Sequence, residues 1–174
     1  MKALLVGLFF FVFAGEDQTS VIKNARVTDE GILTSGQPTR AQLTLLKAAG
    51  YTAIINLRPY GEVQTALEAT QDSNFNFDEE DAAKKVGIKY FSLPVASAED
   101  LTVENVRVLD QLLQSLNNEK VVLHCSSGNR VGALLALRAF HVQGKPRDEA
   151  LALGRAAGLT RLEPVVKKLL SVSK

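Results

Sequence analysis

The sequence predicts an α/β fold with a central, mostly parallel sheet flanked by helices. Short apolar runs of strand length alternate with longer stretches in which apolar residues recur at helical spacing. Glycines or polar breaks close several of those longer stretches, as helix ends require. The run Val121-Val122-Leu123 leads directly into a polar loop and then into another helix-forming stretch, the strand-loop-helix unit from which parallel sheets are built.

In chain order, Asn24 to Val27 and Ile32 to Thr34 read as short strands. A helix fits Thr39 to Ala49, stopped by Gly50, and a strand fits Thr52 to Leu57. Residues 60–76 are polar and poorly periodic; a helix then fits Asp78 to Val86, ended by Gly87, before a strand at Ile88 to Leu93. Helices at Thr102 to Leu116, Val131 to His141, Arg147 to Ala157 and Arg161 to Leu170 complete the chain around a buried strand at Val121 to His124. In the polar stretch, Phe75 and Phe77 fit either an aromatic lip over a pocket or anchors of a long loop in the core.

Met1 to Ala14 reads as a signal peptide, with Lys2 as the charged start, an apolar core over Ala3 to Phe13 and small residues before Gly15. The apolar run stops at Glu16-Asp17, short of the roughly 20 residues a membrane span needs. The expectation is therefore a cleaved leader, a single domain over residues 15–174, no stable membrane anchor after processing, and a periplasmic or secreted location. A net charge of +1 without a long basic run argues against a nucleic-acid partner. No Cys/His cluster has metal-ligand spacing, so neither a metal nor another cofactor is expected. The chain has 1 cysteine, which precludes an internal disulfide.

That cysteine opens the segment of greatest chemical content, His124-Cys125-Ser126-Ser127-Gly128-Asn129-Arg130. If residues 125–130 join a strand to a helix, their N–H groups gather at the positive end of the helix dipole and form a nest for an anion. Helix N-termini and nearby cations favour the thiolate, so Cys125 is a nucleophile candidate. Gly128 permits a backbone conformation that a side chain resists, and Arg130 offers a planar fork for two oxygens of a phosphate-like group. Ser126, Ser127, Gly128 and Asn129 line the nest. His124 is suited equally to supporting the thiolate and to packing behind the loop. Arg58, at the carboxyl end of its strand, is placed either to add charge over the pocket or to pair with Glu62. Gln37 fits the pocket wall or a turn beside Gly36.

This segment resembles the signature loop of the cysteine-dependent phosphatases, in which His-Cys opens the loop and Arg closes it. Those enzymes place five residues between Cys and Arg, whereas here four intervene, an interval that also resembles the active loop of rhodanese-type sulfurtransferases. Upstream, Ile32-Leu33-Thr34-Ser35-Gly36-Gln37-Pro38, Gln42-Leu43-Thr44-Leu45-Leu46 and Ile54-Ile55-Asn56-Leu57-Arg58-Pro59 are similar to the opening of the dual-specificity-like phosphatases, above all their compact bacterial, beta-lactamase-hydrolase-like branch. Tyr90-Phe91-Ser92-Leu93-Pro94-Val95 followed by Leu101-Thr102-Val103-Glu104-Asn105-Val106 extends the resemblance. It implies a cysteine-phosphatase-like fold and hydrolysis of phosphomonoesters, on proteins or small molecules, through a phosphocysteine.

Two positions depart from the family pattern. Val131 follows Arg130 where those phosphatases carry Ser or Thr, and Ala96 and Ser97 stand where their general acid is found. Asp100, slightly later in the same loop, is the chosen proton donor, with Glu99 the weaker alternative; capping of the following helix competes for Asp100. Two further readings fit the same loop: a rhodanese-like transfer of sulfur through a Cys125 persulfide, and an oxyanion-binding module without turnover.

Overall fold

The computed structural model of the protein describes residues 22–62 and 77–171. The expected signal peptide, Met1 to Ala14, and Phe75 lie outside the described residues. The elements are β1 (Arg26–Val27), β2 (Leu33–Ser35), α1 (Arg40–Ala48), β3 (Ala53–Asn56), α2 (Glu79–Lys85), β4 (Lys89–Ser92), α3 (Val103–Ser115), β5 (Val121–His124), α4 (Asn129–His141), α5 (Arg147–Ala156) and α6 (Glu163–Leu169). They form one sheet of order β1-β2-β5-β3-β4, in which only β1 runs antiparallel. The α/β class and the mostly parallel sheet expected from the sequence are therefore present.

The central strands β3 and β5 are buried along their whole length, which parallel strands covered on both faces require. Their side chains alternate between two cores. Ile55 and Leu123 pack with residues of α3, α4, α5 and α6, whereas Ile54 and Val122 pack with Leu43 and Leu46 of α1 and Ala82 and Ala83 of α2. Helix α1 begins at a capping box, in which the Thr39 side chain accepts from the Gln42 N–H and the Gln42 side chain accepts from the Thr39 N–H. Phe77 joins the second core, with the Arg40 guanidinium 5.0 Å above its ring, so the core-anchoring alternative describes this residue.

Element boundaries differ from the sequence reading by one or two residues, and two of these differences bear on the site. Strand β1 is shorter than 24–27, because Asn24 takes a left-handed conformation with φ 55° and its amide reaches across to the Ser127 carbonyl. Helix α4 begins at Asn129 rather than Val131. Gly128 caps it with φ 87°, a conformation open to glycine, and accepts the Gly132 N–H at 2.9 Å, so the first turn closes two residues early.

Register decides where chemistry can occur. His124, the last residue of β5, stands opposite Ser35 of β2 on one side and Asn56 of β3 on the other. The 125–130 loop therefore leaves the sheet at its carboxyl edge, between two aligned strand ends, where open α/β sheets bind ligands.

Candidate active site

Cys125 is 1% exposed, at the bottom of the turn between β5 and α4. Its Sγ accepts the Gly128 N–H at 3.1 Å. The loop carbonyls are occupied outside this centre: Ser127 O accepts from Asn24 Nδ2 at 3.0 Å and Ser126 O from the Gln37 N–H at 3.4 Å. An anion above the sulfur therefore does not have to compete with these two oxygens. At the root of the loop, the Cys125 N–H donates to Ser35 O at 3.3 Å and the His124 carbonyl accepts from Leu57 N at 2.9 Å.

Arg130 lies in the first turn of α4 and points back over the loop. Its Nη1 donates to Glu62 Oε2 at 2.7 Å and to Val95 O at 2.8 Å, and its Nη2 donates to Glu62 Oε1 at 2.6 Å. A guanidinium carries five N–H donors, and these three bonds leave the Nε–H and one Nη2–H for other acceptors. Burial works against the charge on Arg130, but the Glu62 carboxylate and the Cys125 sulfur outweigh it and hold the group above its ordinary range.

Glu62 also accepts from Arg58, through Nε at 3.3 Å to the carboxylate and through Nη2 to its backbone carbonyl. The second guanidinium is thus tied to Glu62, as one sequence alternative had it, and through that carboxylate it reaches Arg130. Gln37 belongs to the same wall: its Oε1 accepts from Arg58 Nη1 at 2.6 Å. Among the described residues, two guanidinium groups thus share the Glu62 carboxylate.

The remaining sequence candidates fall in different places. Ser126 and Ser127 are half-buried in the loop. Asn129 turns its side chain away from the centre: Oδ1 accepts from Thr160 N at 2.8 Å, Thr160 Oγ1 at 3.1 Å and Leu162 N at 3.2 Å, pinning the α5–α6 connection to the loop. Asp100 ends the short 3-10 turn Ala98–Asp100, where its Oδ2 accepts from Ala96 N at 2.8 Å and Ser97 N at 3.0 Å. That turn follows Val95, whose carbonyl touches Arg130, so the Asp100 loop borders the site. Glu99 is exposed in the same turn.

His124 is fully buried, with Nδ1 3.3 Å from the Cys125 carbonyl and Nε2 3.1 Å from Glu79 Oε1. Sequence reasoning missed Glu79, which is 8% exposed and begins α2. The acidic first turn Glu79-Glu80-Asp81 looks like ordinary complementation of a helix dipole, and nothing local separates its buried member from the other two. The role of Glu62 beside Arg130 was missed as well, although its spacing from Arg58 was a usable signal.

No family model matches the chain. A beta-lactamase hydrolase-like protein of Xylella fastidiosa strain Temecula1 is 33% identical to it over 130 residues, covering 75% of this chain and 28% of the relative. The chain thus spans under a third of the length of the curated relatives it matches. Among solved structures, a DUF442 candidate phosphatase of Shewanella putrefaciens superposes with a TM-score of 0.65 at 20% identity, covering 89% of this chain and 95% of that one. A candidate phosphatase of Neisseria meningitidis superposes with a TM-score of 0.60 at 25% identity, covering 80% and 91%. The resemblance expected from the sequence, to dual-specificity-like phosphatases and to the beta-lactamase-hydrolase-like branch, is borne out.

Proposed function

We propose that this chain, a relative of the beta-lactamase hydrolase-like proteins with the fold of the protein tyrosine and dual-specificity phosphatases, is itself a cysteine-dependent phosphomonoester hydrolase. The observation that carries the reading is the pairing of a buried sulfur, held by the Gly128 N–H at 3.1 Å, with an arginine that closes the same loop and interacts with that sulfur. A phosphoryl group with three equatorial oxygens suits such a nest, and the hydrolysis it supports needs no metal ion.

In this reading the Cys125 thiolate attacks phosphorus, while Arg130 and the amides of residues 126–130 take the equatorial oxygens. The bond from phosphorus to the leaving oxygen breaks, and Asp100 gives that oxygen its proton. With Oδ2 held by two amides, the donor is Oδ1. Water then attacks phosphorus, the S–P bond breaks, and phosphate leaves with the thiolate restored. Arg58 acts through Glu62, holding the Arg130 fork at its angle. The substrate is a phosphorylated protein or small molecule, and the expected leader over residues 1–14 assigns the reaction to the periplasm or the exterior.

Hydrolysis of p-nitrophenyl phosphate by the wild-type chain and by Cys125→Ser, each with and without EDTA, tests the reaction class. The expected result is activity that survives chelation and falls by at least about 10³-fold in the variant. Absence of hydrolysis between about pH 4 and 8, the span over which activated thiols titrate, would refute the assignment. The four-residue interval favours sulfur transfer as the alternative, and incubation with thiosulfate would then add the mass of one sulfur to Cys125.

A further inference from the structure

Glu79 has three polar neighbours from three different elements, and two of them lead to opposite ends of the anion loop. Its Oε1 accepts from Gln37 Nε2 at 3.0 Å and lies 3.1 Å from His124 Nε2, a buried nitrogen that makes this close polar contact but no directed hydrogen bond among the described residues. Its Oε2 accepts from Asn56 Nδ2 at 2.8 Å. One path runs from Glu79 through the His124 ring to the backbone at Cys125, where the loop begins. A second runs through Gln37 to Arg58, then to Glu62 and Arg130, where the loop ends. Asn56 braces both paths, because its Oδ1 accepts the Arg58 N–H at 2.7 Å while its Nδ2 also reaches the Tyr90 hydroxyl at 2.9 Å.

We propose that Glu79 is the positioning residue of the anion loop, a single buried carboxylate that fixes the cysteine end through His124 and the arginine end through Gln37, Arg58 and Glu62. A buried carboxylate is costly unless paired and hydrogen-bonded, and here its hydrogen-bond partners are the groups that set the loop's geometry. The inference rests on Cys125 and Arg130 being the working pair of the proposed phosphatase.

Glu79→Gln is nearly isosteric, and it fails in a defined way. Both paths leave from Oε1, so an amide NH2 turned to that side opens them together, whereas one turned toward Asn56 loses that contact and leaves only a neutral carbonyl, a weaker acceptor, for Gln37 and His124. Two readouts follow the two ends without requiring turnover. The rate of Cys125 alkylation by iodoacetamide at pH 7 reports the cysteine end. The affinity for inorganic phosphate, measured by calorimetry in a Cys125→Ser background, reports the arginine end. Glu79→Gln is expected to slow alkylation and weaken phosphate binding, each by about tenfold, with an unchanged circular dichroism spectrum. A folded variant in which either readout stays within twofold of wild type overturns the proposal, since Glu79 would not then serve both ends.

Gln37→Ala cuts the arginine path alone, and it decides the matter if Glu79→Gln does not fold. Weaker phosphate binding with unchanged alkylation is expected, and unchanged phosphate binding overturns the proposal. A wild-type chain that binds phosphate and alkylates normally but hydrolyses no ester would end the phosphatase reading and leave this inference standing.

Discussion

Helix α4 carries two arginines with largely covered side chains, eight residues apart, in different electrostatic settings. The Arg130 side chain is 11% exposed and that of Arg138 is 10%, and both hold carboxylates at short range. Arg138 donates from Nε to Asp110 at 2.8 Å and from Nη1 to both Glu30 oxygens, at 3.0 and 2.8 Å, so one cation faces two anions. At Arg130 the proportion is reversed, with two guanidinium groups sharing Glu62. Arg138 also lines a cavity of about 250 Å³ together with Glu30 and Glu119, so carboxylates outnumber the cation there. Side-chain exposure and residue type are alike in the two places; among the described residues the number of carboxylates facing each guanidinium is what differs.

The largest effect that tests this contrast is expected from Arg130→Lys. Lysine keeps the charge but loses the fork, so kcat/KM for p-nitrophenyl phosphate should fall about 10³-fold with little change in melting temperature. A fall below tenfold would mean that charge alone suffices at this end of the loop. Arg138→Ala is the converse: leaving buried Asp110 unpaired costs about 3 kcal/mol, a loss of roughly 10 °C in melting temperature, with turnover at 25 °C unchanged. A stable but inactive Arg138 variant would erase the distinction between the two arginines.

Asp100→Asn should slow hydrolysis of an alkyl phosphate by about 10²-fold and that of p-nitrophenyl phosphate far less, because the better leaving group needs no proton. Equal slowing of both esters would assign Asp100 to its turn alone. The smallest effect is expected at Glu30. Burial raises its carboxyl, but hydrogen bonds from Gln143 and Arg138 outweigh that and hold it below its ordinary value of 4.5. A carboxylate lowered in the fold stabilises it above the unfolded value, and that contribution is lost as pH falls through the folded one. Wild type should therefore be more stable than Glu30→Gln at pH 6, by under about 1 kcal/mol for this half-exposed pair, and the difference should vanish as pH falls below the lowered carboxyl value. A constant difference across that range would remove Glu30 from the Arg138 cluster.

The sheet and helices were legible because burial on both faces leaves the period and apolar runs of β3 and β5 in the sequence. Cys125 and Arg130 were legible because one short segment holds both. Asn129 was read as a loop residue, and only the Gly128 turn shows that it begins α4 and that its side chain faces Thr160 and Leu162. Glu62 and Glu79 act on partners far along the chain, Arg130 and Gln37, and such pairings exist only once the strands are in register. Composition and periodicity contain no trace of them.

At the crossing of α4 and α5, a β-carbon on Gly132 would lie 2.1 Å from the Leu159 nitrogen and 2.5 Å from the Gly154 carbonyl oxygen. No substitution fits there, and Asn129 ties the Thr160 segment to the same turn, so the floor of the loop moves with α5 or not at all. The facing wall, built from Asn24, Gln37, Arg58 and Glu62, meets the loop mostly through side chains, with the Gln37 N–H to Ser126 O bond as its backbone link. A lineage of such proteins would acquire new substrates from that wall, keeping one rigid half of the site as an heirloom.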